Sequence, residues 1–208
     1  MTTTSRNVPG LPFAVSPSPE AAWTIAEGDG VVTGSAAPRS DIFIDPAGGD
    51  PAAGSTLDAA TLLGLPPDGD FQFSARVTVD FAATYDAGVL LLWVDERHWG
   101  KLCFELSPDG EPMIVSVVAR GVADDANAFV VDARTVWLRV SRIDHAFAYH
   151  ASVDGRTWRM VRYFSVDGAA TAARIGLEAQ SPTGDGCRVV FDDIRFTRDR
   201  LADLRNGS

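Results

Sequence analysis

The sequence predicts an all-β fold, an antiparallel sandwich or barrel, on three observations. Phe71 to Val79 alternates apolar and polar residues over nine positions, the period of a strand with one buried face. About a dozen such short segments follow one another at regular spacing, separated by turns rich in Gly, Pro and Asp. Convincing helical periodicity is lacking elsewhere in the chain. With 208 residues, 46% of them apolar, the chain is read as one domain over residues 1–208. Its core is expected over residues 20–197, between an irregular N-terminal segment and a short charged tail.

Residues 1–20 are polar and punctuated by Pro9, Pro12, Pro17 and Pro19, so no regular element is expected there. Trp23–Glu27 and Gly30–Gly34 read as a hairpin turning through Gly28-Asp29-Gly30. Residues 40–46 are short and mixed, and residues 46–56 are Gly-, Ala- and Pro-rich and read as a loop. Thr56–Leu65 fits either a strand pair or one helical turn. After the alternating strand at 71–79, Gly88–Val94 is an unbroken apolar run, which suits a strand buried on both faces. It ends in the charged turn Asp95–His98. Trp99–Leu106 then sets Trp99, Lys101, Cys103 and Glu105 on one face, with Leu102, Phe104 and Leu106 on the other. The turn Ser107–Gly110 leads to a third strand, Met113–Arg120. A meander of these three is expected to bring Lys101 and Glu105 to the same surface as Ser116 and Arg120. Residues 121–129 read as a loop. Strands are expected at 136–143, 146–153, 161–166, 173–180 and 188–196, and a short helix after Thr197.

The formal net charge is −10, from 18 basic and 28 acidic residues. So acidic a chain is poorly suited to nucleic acid or anionic lipid. Cys103 and Cys187 alone make neither a disulfide framework nor a Cys-rich zinc site, and both are expected to be buried thiols. Met1–Asn7 has no apolar signal-peptide core, and no stretch is long and apolar enough to span a membrane. A cytoplasmic protein is the expectation. The residues carry no signature of an oligomeric state.

Several short motifs recur here in an order resembling one family. They are Asp41-Ile42-Phe43, Tyr85-Asp86-x-Gly88-Val89-Leu90, Trp99-x-Lys101-x-x-x-Glu105 and Ser116-Val117-Val118. Leu138–Arg142, Asp154-Gly155-x-x-Trp158 and Gln180-Ser181-Pro182-x-Gly184 complete the set. Together they resemble the DUF1349 family over residues 20–197. The resemblance implies a concanavalin A-like jelly roll of two antiparallel sheets, a fold related to glucanases, lectins and the accessory domain of some xylosidases. It brings no activity with it. Two positions depart from the family pattern. Ala87 stands where Gln is common, and Ala123–Asn127 stands where a Ser-Asp-Trp-Ser-like element is common.

The first candidate site is a polar strand face of Lys101, Glu105, Ser116, Arg120, Arg139, His150, Arg162, Glu178 and Gln180. Such a set, with Trp93, Trp99, Trp137 or Trp158 as a stacking platform, suits a sugar laid across the concave sheet of a jelly roll. The same residues equally suit a solvated sheet face crossed by ion pairs. Glu105 and Glu178 are candidates for an acid/base pair, with Glu105 the foremost. The one-strand carboxylate motifs of sandwich-fold glucanases are absent, and Lys101 is expected to hold Glu105 ionised. Asp124, Asp125 and Asn127 are candidate Ca²⁺ ligands, since clustered oxygens suit a hard cation, but they suit a self-capped turn as well. No other cofactor is expected. His98, His145 and His150 have no zinc spacing, and neither a Gly-x-Ser-x-Gly elbow nor a phosphate-binding glycine loop is present. The expected function is non-catalytic recognition of a carbohydrate or similar polyhydroxylated molecule. An enzyme using Glu105 with Lys101 as charge partner, and a protein-interaction module, are the alternatives.

Overall fold

A computed structural model describes residues 4–19, 21–26, 28–48 and 55–208. Two seven-stranded antiparallel sheets pack face to face. The first runs, in spatial order, β1 (Val15–Pro17), β6 (Ala60–Gly64), β15 (Arg174–Gln180), β8 (Ala87–Asp95), β9 (His98–Leu106), β10 (Pro112–Arg120) and β11 (Ala123–Val130). The second runs β14 (Arg159–Phe164), β13 (Ala146–Ser152), β12 (Thr135–Ile143), β7 (Phe71–Val79), β16 (Arg188–Thr197), β3 (Val32–Ser35) and β2 (Ala22–Ile25). A separate hairpin, β4 (Ile42–Ile44) with β5 (Ser55–Leu57), belongs to neither sheet. One helical turn, α1 (Ala169–Ala172), precedes β15.

The strand period decides which residues make the inter-sheet core. Leu90, Leu92, Leu102, Phe104, Ile114 and Val118 from the first sheet meet Phe73, Val77, Leu138, Val140 and Phe191 from the second. All are fully enclosed, and each large side chain contributes roughly 1.5–3 kcal/mol on burial. The sheets pack tightly at Gly88, where an added Cβ would lie 2.5 Å from Cγ1 of both Val77 and Val189.

The outer face of the first sheet is also apolar. Val89, Leu91, Trp99, Cys103, Val115 and Val117 form a second cluster with Ile42 and Ile44 of the β4–β5 hairpin. This flap explains why β8 and β9 are buried on both faces. The unbroken apolar run at 88–94 therefore reads correctly, although its cover comes from a hairpin.

Most strand expectations hold to within two residues, and the nine-residue strand at 71–79 holds throughout. The Gly28 and Gly30 turn joins β2 and β3; Glu27 lies outside the described residues, as does much of the expected loop at 46–56. Three readings change. Residues 123–130 form the edge strand β11, because their amides and carbonyls pair with β10. Thr56–Leu65 contributes β5 and β6, which pair with different partners. The tail after Thr197 forms turns instead of a helix, with Ala202 N and Asp203 N both donating to Ser208 O. No helix among the described residues is long and apolar enough to cross a membrane.

Candidate functional site

The register of β8 to β11 builds a pocket on the outer face of the first sheet. Lys101 lies between Leu91 and Val117, and Val117 pairs onward with Asp125. Glu105 lies between Ala87 and Met113. Two residues closer to Lys101, Cys103 leads through Val115 to Asn127. These side chains share one face, and Gln180 joins them through its pairing with Ala87. Asp41 and Phe43 from the flap form one wall, and Tyr85, Pro182 and Thr183 form the rim. The pocket volume is about 510 Å³.

Lys101 is the buried charge at the pocket floor, 2% exposed. Its Nζ donates to Asp41 Oδ1 at 2.9 Å and to Gln180 Oε1 at 2.8 Å. Burial opposes the ammonium most strongly, but Asp41 and Glu178 together hold its pKa above the ordinary lysine value. The Trp99 ring lies 5.7 Å from Nζ.

Two carboxyls on this face behave unlike surface acids. Glu105 is partly buried, and loss of water raises its pKa to about 8. Lys101 pulls the other way, but less. The expectation that Lys101 keeps Glu105 ionised is therefore corrected: the ammonium is already committed to Asp41 and Gln180, and desolvation wins. Glu178 is fully buried, neither carboxyl oxygen has a hydrogen-bond partner, and burial raises it likewise to about 8.

The rim is held by Asp86, which is fully enclosed. Its Oδ2 accepts from the amides of Ala82 and Ala83 at 2.8 and 2.9 Å. Its Oδ1 accepts from Ser181 Oγ at 2.6 Å. Ser181 N donates to Ser40 O, so the residue before Asp41 is tied to the same hub. Gly184 packs beneath, where an added Cβ would lie 2.6 Å from Ser181 Oγ. Tyr85, next to Asp86, takes φ of 70°, an uncommon conformation for a bulky side chain. The residue is 39% exposed at the rim. Thus Tyr85-Asp86 and Gln180-Ser181-Pro182-x-Gly184 are two halves of one device.

The structure divides the polar residues expected on one face. Lys101, Glu105 and Gln180 line the pocket, and Trp99 and Glu178 are buried on the same face. Ser116 does not join them. It pairs with Leu102 and turns toward the other sheet, because strand neighbours alternate. Arg120 lies at the exposed end of β10 beside Asp124. Arg139 and His150 lie in the second sheet, on its outer face, under the C-terminal segment. Arg139 Nη2 donates to Gly207 O at 2.5 Å, and its guanidinium stacks 4.1 Å from the Trp158 ring centre. His150 Nε2 is 2.8 Å from Leu204 O, and burial lowers its pKa to about 4. Arg162, from the edge strand β14, meets Asp124 across the sandwich edge.

The three candidate calcium ligands do not converge. On strand β11, Asp125 and Asn127 face the pocket while Asp124 faces away, toward Arg120 and Arg162. Among the described residues no group of three or more His, Cys, Asp or Glu side chains is arranged for a metal ion. Cys103 and Cys187 are free and buried.

Asp41, Phe43 and Tyr85 are site residues that the strand pattern missed. The signal was present in the motifs Asp41-Ile42-Phe43 and Tyr85-Asp86, which read as marks of the fold.

Comparisons with known proteins agree with this architecture. The family model described as "Protein of unknown function (DUF1349)" matches residues 18–199. The chain is 30% identical over 145 residues to "Regulation of enolase protein 1" of Saccharomyces cerevisiae, covering 69% of this chain and 72% of that one. A solved structure of a functionally unknown protein from Saccharomyces cerevisiae superposes with a TM-score of 0.72 at 24% identity, covering 87% and 97% of the two chains. The carbohydrate binding module CBM66 from Bacillus subtilis shares the fold at a TM-score of 0.51 and 15% identity, with 85% and 91% covered.

Proposed function

We propose that this chain, which belongs to the DUF1349 family, binds a carbohydrate or similar polyhydroxylated small molecule in the pocket on the outer face of its first sheet. The observation that carries the reading is the convergence of planar polar groups on one cavity with an aromatic rim. Gln180, Asn127, Glu105 and Asp125 supply carboxyl and amide groups for hydroxyls, while Tyr85 and Phe43 offer rings for a sugar face. Lys101 serves as a fixed strut that orients Asp41 and Gln180. Support from likeness is limited to the fold that the chain shares with a carbohydrate binding module.

Titration calorimetry against a panel of mono- and oligosaccharides tests the proposal. A sugar that binds the native chain should lose most of its affinity in Tyr85→Ala and in Glu105→Gln. If no sugar binds, or if both variants bind unchanged, the reading fails.

A second reading has its own observation. Glu105, with a pKa of about 8, is a protonated acid at neutral pH and lines the cavity, as a general acid in sugar chemistry requires. Under that reading Glu105→Gln keeps ligand affinity and abolishes turnover, whereas under the first it weakens binding and there is no turnover to lose.

A further inference from the structure

Resting on the sugar-binding reading above, we infer that this pocket is built for an amine-bearing polyol, such as a sugar with a free amino group, and that it turns acidic sugars away. Lys101 is the one basic side chain among the described residues that line the cavity. Its ammonium has no charge left to offer, because Asp41 is in contact at 2.9 Å and Gln180 completes the shell at 2.8 Å. Glu105 and Asp125 line the same cavity, and neither has an ion-pair partner among the described residues. Glu178 adds a third carboxyl on this face, fully enclosed and with both oxygens unpartnered. The nearby guanidinium groups of Arg120 and Arg162 point elsewhere, toward Asp124 on the other face of β11.

An acidic sugar would bring its carboxylate against Asp125, with no free cation among the described residues lining the cavity to receive it. A neutral sugar would find acceptors for its hydroxyls. An ammonium would supply the counter-charge that the chain lacks. The apolar side chains of Met113, Val117 and Phe43 in the wall lower the local dielectric and strengthen that attraction. Tyr85, partly exposed and lining the rim, would offer its ring to a cation. Since Glu105 carries a proton at neutral pH when the pocket is empty, an arriving ammonium should drive that proton off.

The test is calorimetric titration of the full chain with a glucosamine oligomer, its N-acetylated counterpart and a galacturonate oligomer of equal length. The expected order is amine, then N-acetyl, then uronate, with about tenfold between the first two. At about pH 6, where the amine is already charged and Glu105 still holds its proton, the amine form alone should release protons, read from the dependence of the binding heat on buffer ionisation. Glu105→Gln with Asp125→Asn should flatten the order. The pair Asp29→Asn and Glu96→Gln, exposed and outside the pocket, should leave it intact and so exclude attraction by net charge. Equal binding of the amine and N-acetyl forms, tighter binding of the uronate, or an order that survives Glu105→Gln with Asp125→Asn would each overturn the inference while leaving sugar binding standing. Binding by none of the three would remove the parent reading and this inference together.

Discussion

At the residue scale, the molecule turns on a buried lysine surrounded by more acid than it can neutralise. Lys101→Met should cost about 3–5 kcal/mol in urea unfolding, because it strands Asp41 without its cation and leaves Gln180 Oε1 without its donor. A loss under 1 kcal/mol would show that Asp41 relaxes to solvent. The raised carboxyls set a pH dependence. Folded Glu105 and Glu178 hold protons to about pH 8, whereas unfolded Glu releases them near pH 4.5. The folded state therefore binds more protons in that window, and stability falls as pH rises through it. His150 works in the opposite sense below pH 6.5, so the range from 6.5 to 8 isolates the carboxyls. Melting temperature should drop across that range, and Glu178→Gln should shrink the drop. A flat profile would mean that both Glu105 and Glu178 are ionised in the folded state. The sequence made Lys101, Glu105, Glu178 and Gln180 visible as one face, because period two is a local property. It misassigned Ser116 by the width of one residue, since parity across a turn depends on register. Arg139 and His150 alternate correctly within their own strands, but nothing local says which sheet a strand joins.

At the element scale, the pocket depends on short pieces that have weak sequence signals. The flap β4–β5 carries Asp41 and Phe43, and its strands are three residues each. No period can be read in so few positions, which is why its role was not legible. The rim is different: its two motifs were visible, but the hydrogen bonds joining residues 95 apart were not. Asp86→Asn should therefore act on binding through geometry. Replacing a carboxylate that accepts two amides and a hydroxyl should cost about 1–3 kcal/mol of stability. It should also weaken sugar affinity at temperatures where the chain is still folded. Unchanged affinity in a folded Asp86→Asn protein would free the rim from this hub. The strand β11 was mistaken for a loop because its Asp and Asn residues are poor strand formers. Pairing with β10 overrides that preference.

At the scale of the whole molecule, the sandwich was the most legible feature, since a long series of alternating segments with turns leaves few other architectures. Gly88 lies where the two sheets leave no room for a side chain. Gly88→Ala would force a methyl group into Val77 and Val189, so it should destabilise by about 1–3 kcal/mol without touching the pocket wall directly. Thermal unfolding at wild-type temperature in that variant would show that the sheets separate freely. The position of β11 at the end of its sheet has one more consequence. A terminal strand offers unpaired backbone groups along which another chain can add, and charge on that strand is a common defence. Asp124 and Asp125 give β11 that charge. The carboxylate proposed to select the ligand would then also help keep neighbouring molecules apart, and its neutralisation in Asp124→Asn with Asp125→Asn should appear as concentration-dependent light scattering.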